Sequence, residues 1–410
     1  MLRRVLLGVC CVFIMGESSV SAADRFVSPN GKGVQDGQNE ANAFSASAGG
    51  LQVCWDQLTP GSTCWVLPGR YVYPTGTPLR ITIANDGEPG QPKRLMAWQG
   101  TRSVTFQGNR PVPYTPATKA SGNIWIDVDA GASDLVIDGF EVERFQYGFY
   151  ATDGGNSRLI LRNLWFADTR TNVQIHGHPT ATDDALRSHE ILIENVHGVR
   201  HSKRHVRLDR QAHHVLVRHC AADSQFLDAD WAVGFEVIAG HDIEFHDCTA
   251  QRCRYTSSKY WNGDGFAFET ATANIRCVEC RAFDNGDGGF DVKTPGAVLI
   301  RCLAERNKQN YRFWATTGMA WLIDSIARDA VIQGVGAQVG LWTKGVVRAQ
   351  GCAFTNHFYG FLTDPGGNIQ VIDSSVMTDT TTDTLRSGTV RFTNVSAFHP
   401  TSGWQVITDP

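Results

Sequence analysis

From about residue 134 onward, the sequence repeats a unit in which an alternating apolar stretch ends on a polar residue followed by a small or apolar one. Copies read DLVIDGFEV, RLILRNLWF, HVLVRHCAA and AVLIRCLAE. The equivalent position recurs every 21 to 32 residues, most often near 22, which is typical of a solenoid whose loops vary in length. The residues at this position are Phe140, Leu164, Val196, Cys220, Cys248, Cys280, Cys302, Ser325, Cys352, Ser374 and Val395.

The period of the apolar residues within each unit identifies its secondary structure. Apolar and polar residues alternate with a period of two, which indicates strands and not helices. The chain also has 41 Gly and only 19% charged residues, so it is rich in turns and poor in amphipathic helix. Short strands stacked coil on coil predict an all-β fold, a right-handed parallel β-helix.

The segments before the repeat predict a leader and a cap. Residues 1–23 place Arg3 and Arg4 before a short apolar run and small residues, the pattern of a signal peptide. Residues 24–121 contain an amphipathic stretch at 51–58 and are expected to form an N-terminal cap and first irregular coils. Residues 122–410 are the repeated coils of the same domain. We therefore expect a secreted or periplasmic protein, a monomer with no membrane partner.

The cysteines divide into two groups. Cys54 and Cys64 flank the turn signal TPGS and are predicted to form a disulfide. The five cysteines at the repeated position are expected to pack as small buried side chains, because free cysteine is among the most buried residues. Cys253 and Cys277 lie off this position, and they could pair with each other or with nothing.

A second strand in each unit predicts where side chains reach solvent. Its copies read GFEVI, GFAFE, GFDVK, YRFWA and GLWTK, and alternation directs every second residue outward. Neighbouring coils stack at about 4.8 Å, so outward residues of successive coils come within reach of one another. The predicted charged strip consists of Arg207, Glu236, Glu269, Asp291, Lys293, Arg312 and Trp314.

Three carboxylates beside this strip predict a metal site. Asp264 in NGDGF and Asp287 in NGDGGF occupy the same place in successive coils, and Asp291 follows in the second. Carboxylate oxygens in a flexible arrangement suit Ca²⁺. Asn-Gly and Asp-Gly are also ordinary turn residues, which is the alternative interpretation.

These motifs resemble the calcium-site motifs of the family 9 polysaccharide lyases, which are β-helix pectate lyases. NGDGFAFE and NGDGGFDV carry the resemblance at the site, and FVSPNG and LTPGSTCWVLPGRY carry it near the N-terminus. The resemblance implies Ca²⁺ ligands at Asp264, Asp287 and Asp291. It also implies two departures: Gly288 stands where the family has another Asp, and Arg312 stands where the family has its catalytic Lys.

The departures leave two candidates for the base of a β-elimination. Arg312 holds the position that the resemblance assigns to the base, but a guanidinium is a poor base because it stays protonated. Lys293 is the alternative, since the pKa of a lysine is lowered by a cationic neighbour. We expect Arg207, Glu236 and Glu269 to contact substrate, and Trp314 and Trp342 to stack on sugar rings.

Three functions remain open at this point. A calcium-assisted lyase of a pectate-like acidic polysaccharide is the first, and a glycoside hydrolase that uses paired carboxylates is the second. A non-catalytic glycan-binding β-helix is the third. The net charge of -4 argues against a nucleic-acid partner. His213, His214 and His219 are close in sequence, but we interpret them as solvated side chains rather than a metal site.

Overall fold

A computed structural model describes residues 23–73, 77–115, 117–152, 154–178, 180–377, 389–399 and 403–407. Strands pair in parallel from coil to coil, which confirms the parallel β-helix. The final pair of described strands is antiparallel. Of the predicted signal segment only Ala23 is described, so the signal peptide stays a prediction. The predicted boundary between the N-terminal cap and the repeated coils, at residues 121 and 122, also stays a prediction.

One sheet carries the predicted charged strip on its outer face, and we call it the groove sheet. It is formed by β5 (Leu79–Ile81), β8 (Ile124–Val128), β11 (Tyr147–Ala151), β13 (Thr171–His176), β15 (Arg204–Asp209), the first halves of β18 (Val233–His246) and β20 (Phe266–Val278), β22 (Gly288–Val292), β25 (Gln309–Phe313), β28 (Val339–Thr343) and β31 (Tyr359–Thr363).

A second sheet follows directly along each coil, and β18 and β20 bend continuously into it. Its other strands are β1 (Arg25–Ser28), β2 (Phe44–Ser45), β3 (Thr63–Val66), β6 (Lys93–Ala97), β9 (Leu135–Asp138), the first halves of β12 (Ser157–Ala167) and β14 (His189–Val199), β16 (Ala212–Arg218), β23 (Val298–Ile300), β26 (Met319–Ile323), β29 (Val346–Gln350), β32 (Asn368–Ile372) and β34 (Thr389–Thr393).

A third sheet completes the coil and takes the second halves of β12 and β14. Its other strands are β4 (Gly69–Val72), β7 (Val104–Gln107), β10 (Phe140–Glu143), β17 (Ala221–Asp223), β19 (Thr249–Gln251), β21 (Arg281–Phe283), β24 (Leu303–Glu305), β27 (Ile326–Arg328), β30 (Ala353–Thr355), β33 (Ser375–Met377), β35 (Val395–His399) and β36 (Gly403–Ile407).

The repeated sequence position lies at the corner between the second and third sheets. All eleven of its residues are buried, and the strand registers place them in one line along the axis. The preceding residue takes a left-handed backbone conformation, for example Asn195 and Asp247 with φ of 52° and 46°. Gly351 fills that place in its coil with φ of 67°. Asn, Asp and Gly tolerate this conformation best, and one of them precedes most of the corners, whereas His219, Glu279 and Arg301 adopt it at the others.

The interior of the groove sheet is an aromatic ladder. The rings of Phe235, Phe266, Phe290 and Tyr311 stack on successive coils with centroids 4.7 to 5.2 Å apart. All four side chains are fully buried. Because inward residues lock the register, the residues between them are directed outward, into the groove.

The N-terminal end is covered by a short helix. α1 (Gly50–Asp56) buries Leu51, Cys54 and Trp55 and packs against β1 and β2. The predicted Cys54–Cys64 disulfide is present, and it ties α1 to β3. The other seven described cysteines are free and buried, including Cys253 and Cys277. Three 3-10 helices span Glu40–Asn42, Ala46–Ala48 and Asp184–Leu186. None of the described helices is long and apolar enough to cross a bilayer.

Candidate functional site

The outward face of the groove sheet carries the charged strip in the predicted register. Arg207 pairs with Glu236, Asp291 pairs with Arg312, and Arg312 pairs with Trp342 across successive coils. Ala267 stands between Glu236 and Asp291 in the same line. The strip is therefore divided into two clusters of charged side chains.

The first cluster, which we call the carboxylate cluster, is organised around Arg312. Its Nε and Nη2 atoms lie 2.9 and 2.7 Å from the two oxygens of Asp291. Nη1 lies 3.2 Å from Asp287, and Nη2 lies 3.8 Å from Asp264. The structure thus brings the three predicted metal ligands together, and it places a guanidinium among them.

A loop covers this cluster from the side. Tyr260 lies in the segment between β19 and β20, and its hydroxyl group donates a hydrogen bond of 2.7 Å to Asp287. Lys308 Nζ lies 3.3 Å from the same carboxylate and 3.5 Å from the centre of the Tyr260 ring. Gln309 accepts a hydrogen bond of 2.7 Å from Arg312. These contacts hold the guanidinium in one orientation.

Burial and charge set the protonation of this cluster. Burial, with Asp287 and Asp291 nearby, raises the pKa of Asp264 to about 8. Burial also acts to raise the pKa of Asp291, but Arg312 outweighs it, and the pKa is lowered. Burial disfavours the charged form of Arg312, yet Asp291 and Asp287 raise its pKa further above the ordinary value. Arg312 is therefore a cation at every relevant pH and cannot accept a proton.

Lys293 is the most accessible cation of the carboxylate cluster. Its Nζ lies 2.6 Å from Glu269 and 3.4 Å from Asp291, and 29% of the side chain is exposed. Burial lowers the pKa of Lys293, but Asp291 and Glu269 act more strongly, so that its pKa is raised. The expected lowering by a cationic neighbour is absent, because carboxylates and not cations lie closest to it among the described residues.

The carboxylate cluster does not fit Ca²⁺ in this arrangement. Asp264, Asp287 and Asp291 already face Arg312, Lys293 and Lys308, three cations. Among the described residues, no group of three or more His, Cys, Asp or Glu side chains is arranged to hold a metal ion. Calcium binding stays a prediction, and no chemical step is derived from it below.

The two predicted stacking residues lie together at the far end of the strip. The rings of Trp314 and Trp342 are 5.1 Å apart at an angle of 49°. Lys344 Nζ lies 3.6 Å from the centre of the Trp314 ring, so this face is shared with a cation. Trp342 donates a hydrogen bond of 3.2 Å to Asp364. Both side chains are half-buried, and their role with sugars stays a prediction.

The second cluster, which we call the cation cluster, has an excess of positive charge. Lys119, Arg170 and Lys203 all face Asp230, with Arg170 closest at 2.7 Å. Arg204 and Arg207 share Glu236 at 2.6 and 3.5 Å. Arg207 also pairs with Asp209 at 3.0 Å. Five cations thus face three carboxylates, and an anionic ligand would be attracted here.

His176 adjoins the cation cluster and differs from it in being neutral. Burial lowers its pKa most, Arg210 and Arg207 lower it further, and Asp209 opposes them. Gln174 Nε2 lies 3.0 Å from its Nε2 and donates, which assigns the ring proton to Nδ1. In the described part of the chain, Nδ1 has no hydrogen-bond partner of normal geometry, although the Thr152 backbone lies near enough to affect the pKa.

Two loops beside the groove carry an aromatic pair. Trp231 stacks on Tyr255 with centroids 5.6 Å apart and planes at 13°, and Trp231 is 45% exposed. The Trp231 carbonyl accepts a hydrogen bond of 2.6 Å from Arg204. An exposed flat ring fixed to a groove arginine is suited to stack on a sugar.

Sequence reasoning missed this half of the site. It placed Arg207 and Glu236 on the strip but gave no role to His176, Arg204 or Trp231. The insertions that lengthen the coils at 226–232 and 254–263 were the available signal, since long loops on a rigid scaffold commonly carry function.

The histidines noted in the sequence lie on another sheet. The ring of His213 stacks between those of His189 and His241 at 5.2 and 4.8 Å. Nδ1 of His213 lies 2.6 Å from Nδ1 of His214, and His219 pairs instead with Asp247. The interpretation of all three as solvated side chains holds for His214 and His219 but is wrong for His213, which is buried.

Comparisons with known proteins show similarity to this chain only at the level of the fold. No family model matches the chain, and no curated protein matches it. The crystal structure of pectate lyase Pel9A is 16% identical, with a TM-score of 0.42, over 92% of this chain and 79% of that chain. The periplasmic alginate epimerase AlgG is 9% identical, with a TM-score of 0.45, over 83% of this chain and 78% of that one. The catalytic unit of a GH87 α-1,3-glucanase from Streptomyces thermodiastaticus is 14% identical, with a TM-score of 0.47, over 95% and 72%. Likenesses at this level concern the β-helix fold and assign no activity.

Proposed function

We propose that this protein is a lyase that binds an acidic, uronate-containing polysaccharide along the groove sheet and cleaves it by β-elimination. The excess of cations in the cation cluster supports an anionic substrate. Trp231, stacked on Tyr255 at its edge, supports a sugar.

The observation that carries the proposal is the position of a neutral imidazole beside a guanidinium. Arg207 lies opposite Gln174 in the strand register, and Asp209 lies opposite His176, so Arg207 and His176 are diagonal neighbours. Diagonal neighbours on one sheet face are about 7 to 8 Å apart between their backbones, within reach of long side chains. A uronate carboxylate bound by Arg207 would hold the adjacent C5–H bond toward His176.

The reaction then balances with the groups at hand. Nε2 of His176 releases the hydrogen bond from Gln174 and takes the proton from C5, and the electron pair forms the double bond between C4 and C5. The bond from C4 to the glycosidic oxygen breaks, and that oxygen leaves with a proton from water. Asp209 Oδ2, 3.9 Å from Nε2, would stabilise the imidazolium that forms.

The two bases predicted from the sequence receive another role in this proposal. Arg312 and Lys293 both have raised pKa values and stay protonated at neutral pH. Lys293, being partly exposed, would bind a carboxylate of a sugar further along the polymer. Arg312 is enclosed by its partners and would not contact substrate.

The decisive experiment is a polyuronate panel assayed in two ways. Absorbance of an unsaturated uronide together with new reducing ends would support the lyase. Reducing ends without that absorbance would contradict it and support hydrolysis. Binding without either product would leave a glycan-binding protein.

Hydrolysis is the second candidate because of one observation. Asp264, with a pKa of about 8, lies near Asp291, whose pKa is lowered. Two carboxyl groups with pKa values driven apart are what a glycosidase uses as acid and base. If this candidate is right, Asp264→Asn abolishes the release of reducing ends and His176→Gln leaves it unchanged.

A further inference from the structure

The environment of Arg312 has the composition of a metal coordination shell. Six oxygens of five side chains surround its guanidinium: both oxygens of Asp291, and one each from Asp287, Asp264, Gln309 and Tyr260. Only 10% of the side chain is exposed. Calcium takes six to eight oxygens, so the guanidinium receives the kind of shell that the ion requires.

Gly288 completes this arrangement from the backbone. Its N–H donates a hydrogen bond of 2.7 Å to Oδ1 of Asp264. A Cβ atom at position 288 would lie 2.9 Å from that same oxygen and 3.2 Å from the Cβ of Asp291. A fourth carboxylate therefore cannot enter at 288 while Asp264 stays in place.

The two departures from the lyase motif thus form a single structural unit. The Gly288 N–H and the Arg312 guanidinium both point at oxygens that a metal ion would need. Lys308, only 1% exposed, lies against Asp287 as well. A divalent ion added to a buried site that already holds three cations would bring two further positive charges, at a large free-energy cost.

We propose that Arg312 is the resident cation of this site, in the place where the resembling motif holds calcium. The protein with Arg312 in place needs no calcium. Removal of the guanidinium frees Asp264, Asp287 and Asp291, which are not arranged to hold a metal ion while Arg312 is present, to close on a calcium ion. This inference concerns occupancy alone and does not depend on the proposed lyase activity.

The test is thermal unfolding of the whole protein with calcium chloride and, separately, with chelator. The wild-type midpoint is expected to be the same in both. Arg312→Ala is expected to unfold at a lower temperature in chelator, because Asp264, Asp287 and Asp291 lose the cation that they share. Calcium chloride, but not sodium chloride at the same ionic strength, should then raise its midpoint by several degrees, since a ligand that binds only the folded state stabilises it.

Arg301→Ala is the matched control. Arg301 is an exposed arginine paired with Glu279 at 2.9 Å on another face, so its loss should leave the protein insensitive to calcium. Folded Arg312→Ala that gains no stability from calcium would overturn the proposal.

If Arg312→Ala does not fold, calorimetric titration of the wild-type protein with calcium chloride still tests the proposal. Absence of binding in the millimolar range supports the proposal, and tight binding with stabilisation overturns it. Both readouts are independent of turnover, so failure of the lyase proposal and failure of this one remain distinguishable.

Discussion

Lys293 Nζ lies 2.6 Å from Oε1 of Glu269, and this ion pair links two neighbouring coils on the outward face of the groove sheet. Both side chains of the pair are partly exposed. Among the described residues, Lys293 is therefore the one cation of the carboxylate cluster that a ligand in solution can readily contact. Its raised pKa makes it a binding group and not a base.

Lys293→Ala is therefore expected to weaken substrate binding. The KM for a polyuronate should rise about 10- to 150-fold, since a charged hydrogen bond contributes about 1.5–3 kcal/mol, and kcat should change little. Glu269→Gln removes the partner but keeps the cation, so it should lower KM. Steady-state kinetics on both variants test this, and a Lys293→Ala variant with intact binding and no turnover would return the lysine to the role of base.

His176→Gln is expected to abolish elimination while binding persists. The glutamine retains a hydrogen-bonding side chain near Asp209 but cannot accept the proton. Loss of a general base costs about 10²- to 10⁴-fold, and the loss should fall on kcat. The formation of unsaturated product measures it directly.

His219→Gln is the control for that substitution. His219 is exposed and pairs with Asp247 on a different face, so activity should match wild type. Equal activity of all three proteins would remove His176 from the mechanism.

Much of the fold could be predicted from the sequence because it depends on local periodicity. The repeated position, from Phe140 to Val395, fixes the register of the strands, and the register fixes which residues face outward. The ion pairs could not be predicted in the same way. Arg312 reaches Asp264 across two coils because its side chain is long. The spacing predicts which face a side chain is on, but not which neighbour on that face it reaches.

The loops were beyond prediction for a different reason. The stacking of Trp231 on Tyr255 and the approach of Tyr260 to Asp287 depend on how irregular backbone folds over the groove. No periodic pattern governs such segments. The direction of the pKa shift of Lys293 could not be predicted either, because it depends on which charged groups lie nearest in space.

The cysteines provide a chemical test of the interior. The seven free thiols of the described residues should react with a thiol reagent after denaturation, and none of them rapidly before it, because all seven are buried. Cys54 and Cys64 should react only after reduction. Mass spectrometry of the labelled peptides measures this. A disulfide between Cys248 and Cys280 would contradict the packing of free cysteines at the repeated position.

Arg210→Gln is expected to shift the pH dependence of activity. Arg210 is exposed and lowers the pKa of His176 through its charge. A base must be unprotonated, so activity should fall on the acid side, below the ordinary histidine pKa of about 6.5. Removing the cation raises the pKa of His176, and the acid limb of kcat/KM should move to higher pH. An unchanged limb in Arg210→Gln would mean that a different group controls it.

Stability is expected to fall in acid because of buried histidines. Burial lowers the pKa of His201 and of His357 to about 4 in the folded protein. The unfolded chain, with a histidine pKa of about 6.5, binds more protons between these values. Stability is therefore complete above pH 6.5 and is lost as the pH falls toward 4, by on the order of 3 kcal/mol for each histidine.

His357→Gln tests this at one residue. The Ala330 N–H donates to Nδ1 of His357 at 3.3 Å, and its Nε2 donates to the Ala327 carbonyl at 3.1 Å, so the neutral ring uses both nitrogens. Protonation would break the first of these bonds. A glutamine offers one donor and one acceptor without titrating, so the variant should lose less stability than wild type between pH 6.5 and 4. Thermal or urea unfolding across that range measures the slope, and parallel slopes for the two proteins would show that His357 does not contribute to the acid sensitivity.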